Sequence, residues 1–125
     1  MYVPRRWLEP DAKVFIHCDG AMEQILPDFI EIGIDVLNPL QTSAKGMDPG
    51  KIKREYGKDI CFWGGGVETQ TTLPFGTVDE IKAEVQERID LLGRDGGYVF
   101  ATIHNIQADI ALEKVLAIFE TAKGS

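Results

Sequence analysis

The residues best suited to chemistry fall where apolar runs stop. Val14-Phe15-Ile16 ends in His17-Cys18-Asp19-Gly20: an imidazole, a thiol, a carboxylate and a glycine in a row. Three more runs end in Asn38-Pro39-Leu40-Gln41, Gly64-Gly65-Gly66-Val67-Glu68 and His104-Asn105. A strand that only fills a core needs no such ending, whereas the mouth of a parallel α/β sheet collects reactive groups this way. Read as a strand, Lys13 to Cys18 places Phe15, His17 and Asp19 on one face and Val14, Ile16 and Cys18 on the other. His17 and Asp19 then form either an acid–base pair or a hydrogen-bonded pair that closes the end of the sheet. His104 could donate a proton, bind a substrate carboxylate or satisfy loop carbonyls. Gln41 offers an amide to a substrate, and Glu68 a base or a ligand; loop bracing and solvation are the alternatives. Gly65 and its neighbours let backbone approach a ligand or relieve crowding, and lack the spacing of a dinucleotide or phosphate loop. Gln70 and Asn105 complete the substrate-binding set. Cys18 and Cys61 read as buried small hydrophobes, Trp63 as helix-facing, and Lys51, Lys53 and Arg54 as a solvated helix face.

These strand ends need helices to hold them in place. Ala21 to Ile32 carries a helical stripe interrupted by Pro27 and stopped by Gly33. Asp35–Pro39 is the second strand. Asp48 caps a helix to Tyr56, with Pro49 at its first position and Gly57 at its end. Lys58–Gly64 is the third strand, followed by a polar loop. Thr77 and Glu80 fit a capping box for a helix to about Leu92. Tyr98–Ile103 is the fourth strand. Ile110–Ala122 is the last helix, with Leu112, Val115, Leu116, Ile118 and Phe119 as its apolar side. The order β-α-β-α-β-α-β-α implies an α/β fold with a parallel sheet. Four such units amount to half of a (β/α)8 barrel, which takes about 250 residues. Their raw edges invite closure by dimerisation or by a complementary half-barrel. Residues 1–12, with Pro4 and Pro10, read as an irregular N-terminal segment, and residues 13–125 as the half-barrel domain.

The chain has 125 residues, the size of one domain. Thirteen basic against twenty acidic side chains give a formal charge of −7, which argues against nucleic acid or an anionic membrane as partner. No apolar run approaches the roughly 20 residues that span a bilayer, and no signal peptide opens the sequence. Two cysteines without a CxxC spacing make no disulfide framework, so a cytoplasmic setting is expected.

From about Val14 to Ala122 the sequence resembles the C-terminal half of the uroporphyrinogen decarboxylase family. The resemblance is carried by Phe15-Ile16-His17-Cys18-Asp19-Gly20, Ile32-Gly33-Ile34-Asp35-Val36-Leu37-Asn38-Pro39-Leu40-Gln41, Gly46-Met47-Asp48-Pro49, Phe62-Trp63-Gly64-Gly65-Gly66-Val67-Glu68-Thr69-Gln70, and His104-Asn105-Ile106-Gln107. The chain is more similar to the methyltransferase-like and uncharacterised branch than to the true decarboxylases, and the resemblance implies a TIM-barrel half and two activities. One is zinc-dependent methyl transfer from a corrinoid to a thiol; the other is decarboxylation of a tetrapyrrole. In the methyltransferase branch a His and a Cys after the first strand and a Cys after the last bind zinc. His17, Asp19 and His104 stand at those positions, so both thiolates are replaced. Two imidazoles and a carboxylate remain a zinc set with one open position. In the decarboxylase branch His104 matches a histidine near the substrate. A third expectation is a non-catalytic fragment or binding subunit.

Overall fold

A helix that follows each strand and returns to the same edge forces parallel pairing. The structure, a computed structural model, describes residues 11–124. Its elements are β1 (Phe15–His17), α1 (Leu26–Ile32), β2 (Val36–Asn38), α2 (Pro49–Tyr56), β3 (Cys61–Trp63), α3 (Thr72–Phe75), α4 (Val78–Leu92), β4 (Tyr98–Val99) and α5 (Leu112–Lys123). The strands form one parallel sheet in the order β1-β2-β3-β4. The result is a partial (β/α) barrel, as the alternation of elements requires. Of the expected irregular segment, residues 1–10 lie outside the described residues. No helix among the described residues is long and apolar enough to cross a membrane.

Local chemistry sets the helix ends. Asp48 accepts from the Lys51 amide at 2.9 Å, and Pro49 occupies the first turn, where its missing N–H costs nothing. Thr77 and Glu80 close a reciprocal capping box on α4. Gly33 ends α1 at φ 96°, a left-handed conformation that suits glycine. The first helix is shorter than its apolar stripe. Residues before Leu26 form a turn in which the Met22 carbonyl accepts from Ile25 and Leu26, and Pro27 sits in the first helical turn. A short helix, α3, occupies what reads as polar loop, because Leu73 is buried against α4 and α5. All four strands are shorter than their apolar runs.

The sheet has two unlike faces. Register aligns Ile16, Leu37, Phe62 and Tyr98 on the helix side, where Leu37 and Phe62 are fully buried with Leu26 and Ile52. Each such side chain stabilises the fold by roughly 1.5–3 kcal/mol relative to exposure. The opposite face carries Phe15, His17, Val36, Asn38, Cys61, Trp63 and Val99. No helix of the described residues covers it. The rings of Phe15 and Trp63 meet edge to face at 5.3 Å and stay 48% and 38% exposed. Trp63 is therefore not helix-facing: Phe62 takes the helix side, and alternation turns its neighbour away. Cys61 lies half-buried on the same open face.

A second core joins α4 and α5 through Val67, Leu73, Ile81, Val85, Ala117 and Ile118. The last helix uses only part of its apolar side there. Leu112, Leu116 and Phe119, spaced i, i+4, i+7, remain largely exposed.

Candidate functional site at the C-terminal rim of the sheet

His17 is the last residue of β1 and sits opposite Asn38 in the register. Its Nδ1 lies 2.7 Å from Asn38 Oδ1, while Asn38 Nδ2 donates to the Trp63 carbonyl at 2.9 Å. The second bond fixes which way the Asn38 amide points. Its oxygen must then face His17, so the imidazole carries its proton on Nδ1 and leaves Nε2 free to exchange one. That Nε2 lies 3.8 Å from Asp19 Oδ2. The other carboxylate oxygen, Oδ1, lies 3.8 Å from His104 Nδ1.

Asp19 thus stands between two imidazoles that come from opposite edges of the sheet. Strands β1 and β4 are three ladder steps apart, about 14 Å at the usual spacing. The loops that follow them close that distance over the strand ends. Gln41 braces this arrangement, since its Oε1 accepts from the Gly20 amide at 2.8 Å, where φ is 98°. Thr102 Oγ1 donates to the His104 carbonyl at 2.6 Å and steadies the other loop.

Two adjoining concavities open here. One, of about 540 Å³, is lined by Asp19, Gln41, Thr69, Gln70, His104, Asn105 and Gln107. The other, of about 410 Å³, brings in His17, Asn38 and Thr102, and shares His104, Asn105 and Gln107 with the first. Of the residues expected from the sequence, His17, Asp19, His104, Gln41, Gln70 and Asn105 are brought together.

Gly65 and Glu68 line neither concavity. Gly65, at φ 76°, is buried against Leu40 and Leu92, and a Cβ there would meet the Leu40 carbonyl at 3.0 Å. Its glycine serves a close approach of β3 to the β2 loop. Glu68 is 5% exposed. Its Oε1 accepts from the Gln70 amide at 3.1 Å, and its own amide donates to Glu84 Oε2 at 3.0 Å. Glu84 in turn pairs with Arg88. Glu68 Oε2 is buried without a hydrogen-bond partner among the described residues.

Asn38, Thr69 and Gln107 belong to the site without having been assigned a role from sequence. Asn38 ends the strand beside His17, a neighbour that only the register between β1 and β2 reveals.

His17, Asp19 and His104 carry the donor atoms of a metal centre. His17 Nε2 is the kind of lone pair a metal takes, with Nδ1–H held by a neighbouring oxygen. Yet no three His, Cys, Asp or Glu side chains among the described residues are gathered to hold an ion. The arrangement is that of a carboxylate flanked by two imidazoles, groups of the kind that exchange protons with a bound molecule.

A comparison with curated proteins finds no match. The family model described as Uroporphyrinogen decarboxylase (URO-D) matches residues 6–125. That span covers every strand, helix and rim loop described above, and the chain belongs to the uroporphyrinogen decarboxylase family.

Proposed function

We propose that this chain provides the proton-transfer side of an active site for a decarboxylase-type lyase acting on a carboxylate-bearing small molecule, with a tetrapyrrole as the substrate class the family implies. The observation that carries the reading is Asp19 placed 3.8 Å from both His17 and His104. In decarboxylation the C–C bond to a carboxyl group breaks, its electron pair stays on carbon, and that carbon takes a proton. An imidazole at His17 or His104 delivers the proton, with the Asp19 carboxylate orienting the ring. The amides of Gln41, Gln70 and Asn105, which line the larger concavity, would hold the substrate's remaining carboxylates.

Methyl transfer from a corrinoid to a thiol, the other activity found in the family, calls for His17, Asp19 and His104 to converge on zinc. Their spacing and the absence of thiolates at these positions favour the proton-transfer reading.

The site lies beside an open sheet face, so the active form is proposed to contain a second copy of this chain. Pairing of β4 with the partner's β1, twice about a two-fold axis, removes both edges and covers Phe15 and Trp63.

Anaerobic incubation with uroporphyrinogen, followed by chromatography of the products, tests the reading. Loss of carboxyl groups, slowed on the order of a hundredfold in Asp19→Asn, is expected. Unchanged substrate at high protein concentration overturns it. So does stoichiometric zinc binding that disappears in both His17→Ala and His104→Ala.

A further inference from the structure

A separate cavity lies at the other end of the sheet, away from the two at the rim. It has a volume of about 420 Å³ and opens between the end of α2, the approach to β3 and the turn before β4. Lys53, Arg54, Lys58 and Arg94 all line it, with Asp95 as the one acidic neighbour and Leu91 as an apolar wall. So dense a positive lining is unexpected in a chain whose formal charge is −7. We infer that this cavity binds a small molecule carrying a phosphate group.

The ordinary explanation for Lys53 and Arg54 is that they complement the C-terminal end of α2. Magnitudes show that this is insufficient. A helix end carries about half a negative charge, and α2 and α4 both end here. Four cations set against Asp95 and two such ends leave a positive excess of about two. That excess matches a phosphate dianion. Arg54, Lys58 and Arg94 have no hydrogen-bond or ion-pair partner among the described residues.

Lys53 is already positioned, donating from Nζ to the Gly96 carbonyl. Burial lowers its pKa from the ordinary 10.5, so an incoming anion would restore what desolvation removes. Gly97, at φ 69°, lies close against the next turn, where a Cβ would meet the Gly57 carbonyl at 3.3 Å. The volume exceeds that of a bare phosphate and suits a small organic phosphate resting on Leu91.

Isothermal titration of the whole chain with inorganic phosphate and with glycerol 3-phosphate tests this, at low salt and at about 0.15 M salt. Saturable one-site binding of both is expected, tighter for glycerol 3-phosphate. The Arg54→Ala/Arg94→Ala variant should bind at least about tenfold more weakly. Both arginines are exposed, and circular dichroism checks that the variant is folded. His17→Ala should leave the affinity unchanged. No saturable heat with either probe overturns the inference, as does an affinity that the double substitution leaves intact. Binding lost in His17→Ala would move the anion to the rim and overturns it equally.

Discussion

Cys61 shows how a single side chain reports on the open face. It sits half-buried, and desolvation pushes its thiol above the ordinary 9.0, only partly opposed by the charge of nearby Lys53. The reactive thiolate is therefore scarce at neutral pH. Alkylation of Cys61 followed by peptide mass spectrometry should run slower at pH 8 than alkylation of a free cysteine. Its rate should still be rising with pH where that of a free cysteine has levelled off. A rate equal to that of free cysteine would mean that the thiol is fully hydrated. His17 was legible in the sequence because alternation within one strand decides which side chains share a face, whereas Asp19 lies two residues past the end of β1 and the loop carries it to His17. Asn38 was not legible, since its role depends on a register across two strands that no local spacing encodes. Trp63 was misassigned for a related reason. A large aromatic is expected on the buried side, but only one face of this sheet has helices over it.

Helix boundaries were legible where a cap or a breaker sits in sequence. Asp48 with Pro49, Thr77 with Glu80, and Gly33 each do their work within four residues. Strand lengths were overestimated, because pairing and not apolarity ends a strand. The capping box allows a direct measurement. Thr77→Ala should destabilise the chain by about 1 kcal/mol, read as a lower urea midpoint with unchanged slope. The two apolar stripes of α5 should separate in the same experiment. Ile118 is fully buried, so Ile118→Ala should cost about 2–5 kcal/mol. Leu116 is 48% exposed, so Leu116→Gln should stay within about 0.5 kcal/mol. Equal losses at the two positions would mean that the outer stripe is buried in solution.

At the scale of the whole molecule, a parallel sheet with one bare face is unusual, since both faces are ordinarily covered. The proposed two-fold assembly accounts for that face. Light scattering behind size exclusion should give twice the chain mass, and Trp63→Asp should return the monomer. A wild-type monomer would exclude the second copy, and a mass that doubles only with another polypeptide present would name that polypeptide as the occupant instead. The partial barrel itself was legible from the alternation of elements. What closes it was not, because edges and bare faces are defined by pairing and three-dimensional covering rather than by residue type.

Asp19 and His104 follow the two outermost strands, yet their side chains lie 3.8 Å apart. The curl of the sheet and the spacing of Asp19 and His104 are therefore one mechanical variable. A molecule bridging the two loops acts as a drawstring, resisting any flattening of the sheet. By reciprocity, whatever clamps the strand edges also tunes how tightly that molecule is held. Chemistry at the rim and assembly at the edges should then respond to each other, even though they share no residue.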